Sequence, residues 1–379
     1  MRALIVDHGR DRSSLVAARM LHADGWQVGT AAWRRSTVSH SSLCGPHHTI
    51  ETAETDEDRF IADIAAAVAE QGYGLVFCAY DDGVLALSRR RAEIGPEEVV
   101  PYAPHEVVER AFDKLAFTRA AEAAGLGVPH TVEATPEALA AWRGPVVVKA
   151  RLHVPHRYQT RRFERAADAA GFVEQLRAEG AAPLLQERIT GALGAVVVVA
   201  GRDGRVVAEI HQRCDRSWPP EAGVTARART IAVDPDLSAR VAELVRALGW
   251  FGLAEIEYLL DEDGRPRFTE LNGRFYGGMA LAGRAGVPVA AIWARLASGR
   301  SLGPVPQARV GARFQWLNRD IAASRAAAGL PGVAAALALA PLSAHSMVAR
   351  GDAGPLLRFY LPEMARRAAS RAGIRRGHE

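Results

Sequence analysis

Apolar and polar segments alternate regularly over the first hundred residues. Short apolar runs predict strands, and longer runs with helical spacing predict helices that begin at Ser or Asp and end at Gly. Because strands that alternate with helices form a parallel sheet, we predict an N-terminal β/α domain. The predicted strands and helices follow in the order strand, helix, strand, helix, strand at 2–8, 13–25, 26–33, 56–72 and 73–80.

The pattern changes near residue 101, where hairpins become frequent. Two helical patterns occupy 101–131, and a hairpin is predicted at 194–214 because its turn, GRDG, has the glycines and aspartate of such turns. A second hairpin is predicted at 252–272, and the pattern from 301 to 379 is mostly helical. Further strands are predicted at 145–150 and 182–189, with helices at 166–180 and 234–250.

The second hairpin has polar groups in an apolar setting. Glu255 and Glu257 share one face of the first strand, and Glu270 and Asn272 share a face of the second. Carboxylates among apolar residues are costly to bury unless a cation neutralises them. Oxygen ligands of this kind suit Mg²⁺, and Arg274 follows two residues after Asn272. The alternative is a salt-bridged surface hairpin.

Lysine is rare in this chain. Of 47 cationic Lys and Arg residues, only Lys114 and Lys149 are lysines, and Lys149 ends the apolar run PVVVKA at 145–150. An ammonium group is a compact point charge, whereas a guanidinium is a broad rigid fork. A narrow slot crossed by a polyphosphate favours the compact charge.

These segments resemble the ATP-grasp ligases, the family of biotin carboxylase and D-alanine–D-alanine ligase. Four segments carry the resemblance in order: AFDKLAFTRAAEAAGLGVPHT, PVVVKA, LLQERITG and TELNGRFYGGMALAGRAGV. The resemblance covers about residues 100–300. It implies an α/β protein with an N-terminal pre-ATP-grasp domain and a two-part ATP-grasp domain, followed by a mostly helical region. The implied bounds are 1–103, then 104–300 divided into 104–185 and 186–300, then 301–379.

The resemblance also implies roles for individual residues, with ATP and Mg²⁺ (or Mn²⁺) as cofactors. The catalytic residues would be Arg274 and Lys149. The metal ligands would be Glu257, Glu270 and Asn272. ATP would be bound by Lys114, Lys149, Gln186, Glu187, Arg188, Ile189 and Thr190. The substrate would meet Arg213, Arg216, Arg274, Tyr276, Gly277 and Gly278. The sequence departs from the family pattern at Gly273, where proline is common, and after the hinge, where no acid is present for the ribose.

The implied activity is ATP-dependent joining of a carboxylate to an amine through an acyl phosphate. Two alternatives stay open: carboxy- or carbamoyl-phosphate chemistry on bicarbonate, and a non-catalytic ATP-binding protein. The expected partners are small-molecule carboxylates and amines, possibly amino acids, with a homodimer as an option. The loop 151–165 is a candidate lid or a solvated basic turn; its cationic residues are Arg151, His153, His156, Arg157, Arg161 and Arg162.

Composition adds limits to this interpretation. An apolar content of 49% in 379 residues favours folded cores, and a net charge of +4 with interspersed acids argues against nucleic-acid binding. Three scattered cysteines and no signal-peptide pattern indicate a reducing cytoplasm. We interpret 326–342, which Pro331 interrupts, as a packed helix and not a membrane span. The tail 358–379 is predicted to be a solvated basic helix, with nucleic-acid or membrane contact as the alternative.

One further cluster has metal-binding side chains. The segment 40–50 contains His40, Cys44, His47 and His48. No second ligand cluster accompanies it at zinc-like spacing. We therefore predict a surface loop there.

Overall fold

The computed structural model describes residues 1–9, 11–152, 160–220, 223–362 and 364–366. Its first unit is a parallel four-stranded sheet in the order β3-β2-β1-β4, which confirms the predicted β/α start. The strands are β1 (Arg2–Val6), β2 (Gln27–Ala32), β3 (Cys44–Thr49) and β4 (Leu75–Cys78). The prediction of a surface loop at 40–50 is therefore wrong for residues 44–49, which form the edge strand β3. The His47 ring on this strand forms a hydrogen bond with the Thr30 hydroxyl on β2.

Helices cover this sheet; the first two begin within one residue of the predicted positions, and the other two were not predicted. They are α1 (Arg12–Ala23), α2 (Glu57–Gln71), α3 (Asp81–Arg89) and α4 (Arg91–Ile94). Asp11 caps α1 by accepting a hydrogen bond from the Ser13 N–H, and Asp56 caps α2 in the same way through Arg59. Gly72 ends α2 in the left-handed conformation that glycine adopts without strain.

The second unit is an antiparallel four-stranded sheet in the order β5-β8-β6-β7. Its strands are β5 (Thr131–Glu133), β6 (Val146–Ala150), β7 (Thr160–Phe163) and β8 (Pro183–Glu187). Its helices are α5 (His105–Phe112), α6 (Lys114–Ala123), α7 (Pro136–Ala141) and α8 (Ala170–Ala178). A separate small core of α8, β6 and β8 side chains supports this sheet.

The third unit is a six-stranded antiparallel sheet in the order β13-β12-β9-β10-β11-β14. Its strands are β9 (Leu193–Ala200), β10 (Val206–Trp218), β11 (Val224–Thr230), β12 (Gly252–Leu260), β13 (Pro266–Asn272) and β14 (Arg313–Gln315). Its helices are α9 (Pro235–Leu248), α10 (Ala280–Ala285) and α11 (Val289–Ala297). Both predicted hairpins are present. The strand β14 was not predicted, since three residues are too short to show a period.

Helix α11 joins the first unit to the third. Trp293 is fully buried, and its ring lies 4.7 Å from that of Phe77 and 5.3 Å from that of Tyr102. Its indole N–H donates to the Pro101 carbonyl at 3.0 Å. Aromatic packing of this extent makes the parallel and the six-stranded sheets share one continuous core.

The apolar segment near the C-terminus is only partly packed. Helix α12 (Leu317–Leu339) has Asp320, Ala323 and Ser324 buried in its first half, and helical geometry breaks at Ala328 and Gly329. The span Leu317–Leu342 has the length and composition of a membrane-crossing helix, but only 11% of its apolar window is buried. Within the predicted segment 326–342 a helix is present, and Ala336 is its buried residue. The tail prediction falls mostly outside the described residues; the described part of it includes a π-helical turn at Pro355–Tyr360.

Asp7 generates a prediction about stability. It follows β1, is 2% exposed, and accepts a hydrogen bond from the Gly9 N–H. Burial raises the pKa of Asp7 to about 8. Because this folded-state pKa is above that of the unfolded chain, Asp7 should remove stability progressively as the pH rises from about 4 to about 8.

We therefore expect Asp7→Asn to gain free energy of unfolding relative to wild type as the pH rises through that window. A tenfold change in proton affinity corresponds to about 1.4 kcal/mol, so the gain between pH 5 and pH 8 should exceed that value. Urea unfolding at both pH values measures it. Parallel pH profiles for the two proteins would contradict the assignment to Asp7.

Candidate active site

The two lysines of the chain approach the same place from different elements. Lys149 lies on β6, is 6% exposed, and points its Nζ to the Thr269 carbonyl oxygen on β13 at 3.5 Å. Lys114 begins α6, where the Asp113 carboxylate caps the helix. The Lys114 N–H donates to the Arg151 carbonyl at 3.0 Å, which ties the start of α6 to the end of β6.

The hairpin of β12 and β13 supplies the carboxylates. In its register Glu257 lies opposite Glu270, and Glu255 lies opposite Asn272. The Asn272 amide donates to a Glu257 oxygen at 3.1 Å and to a Glu255 oxygen at 3.4 Å. Gln212 on β10 donates to Glu255 at 2.9 Å. The predicted ligands therefore lie together, and Glu255 joins them.

The electrostatics of this cluster are unfavourable in the absence of a cation. Burial, reinforced by the charges of Glu255 and Glu270, raises the pKa of Glu257 well above its usual range. Burial also raises the pKa of Glu255 to about 7, although Arg274 acts in the opposite direction. For Lys149, burial lowers the pKa to about 8; the Glu270 charge raises it and the Lys114 charge lowers it. These mutual effects indicate that both lysines and the carboxylates occupy one site.

Arg274 connects the cluster to the N-terminal sheet. Its Nε donates to an Asp81 oxygen at 2.6 Å, and its Nη2 donates to the Asn272 side-chain oxygen at 3.1 Å. Burial opposes the positive charge, but Asp81 outweighs burial and raises the pKa of Arg274. Asp81 was missed in the sequence. The available signal was its position directly after the buried strand β4, where the carboxyl end of a parallel strand meets the site.

Gly273 is explained by close packing. A Cβ at this position would lie 2.2 Å from the Trp250 ring and 2.7 Å from the Phe112 ring. No side chain fits, and a proline ring would collide as well. The departure from the family pattern therefore reflects an aromatic pair that packs under strand β13.

The predicted nucleotide-binding residues on strand β8 and directly after it differ in whether their polar groups already form hydrogen bonds within the protein. Gln186 is buried and donates to the Thr131 hydroxyl at 2.9 Å. The Glu187 N–H donates to the His130 carbonyl, and its carboxylate accepts from the His130 N–H. In the described part of the chain, the backbone N–H groups of Arg188, Ile189 and Thr190 donate no hydrogen bond. A contact to an adenine edge would thus come from these three residues and not from the Glu187 side chain.

The predicted substrate residues divide into two groups. Arg213 is exposed, and its positive charge lowers the pKa of Tyr258, which burial raises. The Tyr258 side chain lies on the opposite face of the sheet from Glu257. The structure therefore does not bring Arg213 to the site, because strand alternation turns it away from the face of its neighbour Gln212. By contrast, Tyr276 and Gly278 lie on the site side: Glu255 raises the pKa of the buried Tyr276 further, and a Cβ on Gly278 would lie 4.0 Å from the Gln212 amide nitrogen. Gly277 lies beside Arg12, and the Arg216 Nε lies 3.9 Å from Asp320 on α12.

The predicted lid is only partly described. Arg151 forms ion pairs with Asp113 at 2.6 Å and with Glu133 at 3.2 Å, so it holds the start of α6. Arg161 and Arg162 lie on strand β7 and not in a loop, which corrects that part of the prediction. The lid residues His153, His156 and Arg157 are outside the described residues.

Comparison with known proteins agrees with this geometry. Residues 181–320 match the family model described as "ATP-grasp in the biosynthetic pathway with Ter operon". The match spans β8 to the start of α12 and includes the carboxylate hairpin. None of the curated proteins matches the sequence at a significant level.

Solved structures give the same class over most of the chain. An L-amino acid ligase from Bacillus licheniformis matches with a TM-score of 0.62 at 15% identity, covering 81% of this chain and 78% of that one. A biotin carboxylase from Campylobacter jejuni matches with a TM-score of 0.65 at 17% identity, covering 82% and 74%. An N5-carboxyaminoimidazole synthetase from Staphylococcus aureus matches at 0.62 and 10% identity, covering 82% and 80%. The protein therefore has an α/β fold of the ATP-grasp type, and residues 181–320 match an ATP-grasp family model.

The residues present fit a magnesium ion. Among the described residues, no three His, Cys, Asp or Glu side chains are grouped as a metal site. Two carboxylates and one amide nevertheless suit Mg²⁺, which takes its remaining oxygens from water and nucleotide phosphates. The raised pKa values of Glu255 and Glu257 are the physical sign of a buried negative site that a cation would relieve.

Removing one charge from this carboxylate cluster should have opposite effects on the stability of the ligand-free protein and on the binding of a metal with its nucleotide. We expect Glu257→Gln to raise the free energy of unfolding of the ligand-free protein by about 1 kcal/mol or more, because one of three neighbouring buried carboxylates is removed. The same change should abolish the rise in melting temperature that Mn²⁺ with ADP produces in the wild type. Glu262→Gln in the exposed hairpin turn is the control. Loss of stability in Glu257→Gln with retained Mn²⁺ stabilisation would contradict the role.

Proposed function

We propose that this protein is an ATP-dependent ligase that joins a carboxylate to an amine and releases ADP and phosphate. The observation that carries the proposal is the convergence of Lys114 and Lys149 on Glu257 and Glu270, with Arg274 at the edge of the cluster. A buried Lys149 and a half-buried Lys114 beside carboxylates suit a bound polyphosphate and its metal.

The proposed reaction has two steps. A carboxylate oxygen of the acid attacks the γ-phosphorus of ATP, the bond from that phosphorus to the β–γ bridging oxygen breaks, and ADP leaves. The amine nitrogen then attacks the acyl carbon, phosphate leaves with the bonding pair, and the amine gives up a proton. Magnesium, when bound to Glu257, Glu270 and Asn272, neutralises phosphate charge.

In this scheme the side chains of the protein bind the phosphates and orient the groups around the acyl phosphate. Lys114 and Lys149 hold phosphate oxygens, and Gln212 and Asn272 hold the carboxylates of the hairpin in place. Arg274 lies beside the hairpin, where its guanidinium stabilises the negative charge that develops at the acyl group. Its ion pair with Asp81 fixes the orientation of that guanidinium before substrate binds.

Bicarbonate is a second candidate for the acid. The likeness to biotin carboxylase and N5-carboxyaminoimidazole synthetase supports it as a fold-level analogy only. Neither lysine of the chain lies in a Met-Lys-Met biotinylation sequence, so a biotin group would have to come from another protein. A nucleotide-binding protein without activity is the third candidate, and a complete set of metal ligands with Arg274 argues against it.

ADP release is the direct test. Purified full-length protein with ATP and Mg²⁺ is supplied with amino acids and carboxylates in pairs, with and without bicarbonate. We expect ADP and phosphate to appear only with a matching acid and amine. ADP release that requires bicarbonate alone would favour the second candidate, and tight ATP binding without turnover in any mixture would favour the third.

Lys149→Arg keeps the positive charge at this position and changes the shape of the cationic group, so it tests whether the shape matters for ATP binding. We expect it to fold with an unchanged circular dichroism spectrum and to lose at least about tenfold in kcat/KM for ATP, because the broad guanidinium does not fit a buried slot made for an ammonium. The matched control, Arg143→Lys, exchanges the same two residue types at an exposed position of the same unit. Wild-type turnover in Lys149→Arg would remove Lys149 from the phosphate site.

A further inference from the structure

Two arginines share one indole ring beside the loop that follows Arg274. The Arg12 guanidinium carbon lies 3.3 Å from the ring centroid of Trp316, and that of Arg319 lies 5.2 Å from it. Arg12 is the first residue of α1, Trp316 directly precedes α12, and Arg319 lies in the first turn of α12. The N-termini of two helices from opposite ends of the chain therefore meet here.

This placement of cations is electrostatically unfavourable by itself. The N-terminus of a helix carries a partial positive charge, so arginine in the first turn is destabilising there. Burial lowers the pKa of Arg12 to about 10, and the Arg319 charge lowers it as well, while Asp11 acts in the opposite direction. Stacking on the Trp316 ring offsets only part of this cost.

The nearby carboxylates that the structure describes are already engaged. Asp11 uses one oxygen to cap α1 through the Ser13 N–H at 2.8 Å. The buried Asp320 accepts from Arg227 at 2.9 Å and lies 3.9 Å from the Arg216 Nε. Asp320 is therefore shared by Arg227 and Arg216, and Asp11 is the carboxylate that acts on Arg12.

Buried polar atoms of the same cluster have no hydrogen-bond partner within the described residues. They are the Arg216 Nη1, the Trp316 Nε1, the Arg319 Nε and the Asn318 side-chain oxygen. Three of these four atoms are donors. Because buried donors are almost always satisfied in native proteins, three together indicate an acceptor that the described residues do not supply.

The cluster lies next to the candidate active site. The Arg12 Nη2 lies 3.6 Å from the position that a Cβ on Gly277 would occupy, and Gly277 is three residues after Arg274. Asp11 also contributes to the raised pKa of Arg274. A substrate that reaches Arg274 would therefore pass along the Gly277 loop beside this cluster.

We propose that Arg12, Arg216, Trp316 and Arg319 bind a second anionic group of the substrate, a carboxylate or a phosphate, so that the enzyme selects an acidic substrate. Guanidinium forks match the oxygens of both groups with charge-assisted hydrogen bonds. This inference rests on the proposed ligase function for the identity of the bound molecule, whereas the anion site itself rests on the geometry.

Binding of small acids tests the site without turnover. Isothermal titration calorimetry on the full-length protein with ADP and Mg²⁺ compares glutarate, its monoamide glutaramate, and 3-phosphonopropionate. We expect one or both dianionic acids to bind at least roughly tenfold more tightly than glutaramate, since a hydrogen bond to a charged group contributes on this scale. The tighter of the two identifies carboxylate or phosphate as the group recognised.

Substitutions then locate the preference. Arg319→Gln should reduce the ratio of the affinity for the dianionic acid to the affinity for glutaramate to about one, and Arg319→Lys should retain part of this preference. Arg325→Gln, an exposed position six residues further along α12, should leave it unchanged. If Arg319→Gln fails to fold, Arg12→Gln tests the same cluster from α1.

Two results would overturn the proposal: binding of glutarate and of 3-phosphonopropionate by the wild type that is no tighter than binding of glutaramate, or an equal loss in Arg319→Gln and Arg325→Gln. The failure of the ligase proposal is separate. A dianion preference that persists in a protein releasing no ADP upholds the anion site and rejects the ligase. ADP release with monoanionic acids only, without tighter binding of dianions, upholds the ligase and rejects the anion site.

Discussion

The structure depends on keeping three carboxylates and an ammonium group together in a buried site. Burial and the charge of Glu270 raise the pKa values of Glu255 and Glu257, and burial lowers the pKa of Lys149 although Glu270 and Glu257 act in the opposite direction. Such a cluster persists only where the fold enforces its geometry. Here the register of β12 and β13 does so, because a slip of one residue would turn the carboxylates to the opposite face of the sheet.

Packing under the hairpin enforces that register. Leu271 and Ile256 face the core, and the absence of a side chain at Gly273 lets Trp250 and Phe112 reach the backbone. The ion pair between Arg274 and Asp81 then connects the strand to the N-terminal sheet. The N-terminal domain is thus part of the site, since without it Arg274 would have no fixed orientation.

Sequence patterns predicted the features that depend on local period. Alternation along 252–272 placed Glu255 with Glu257, and Glu270 with Asn272, on shared strand faces, and the β/α alternation predicted the parallel sheet. Features that depend on distant contacts were not predictable in this way. Asp81 and Arg274 are 193 residues apart, and Arg12 meets Trp316 across most of the chain. Arg213 illustrates the remaining limit: alternation shows that it and Gln212 point to opposite faces, but not which face is the site.

The choice between lysine and arginine follows from the shape of each anion site. Lys149 lies in a buried slot between two strands, where a rotatable ammonium fits and a planar fork does not. At the proposed outer site the anion approaches two helix N-termini beside an indole, where a planar guanidinium can stack and donate at the same time. An arginine-rich chain can therefore serve the outer site with its common cation. Only the slot requires the exception, which accounts for the lysine at position 149, while Lys114 approaches the same site from the start of α6.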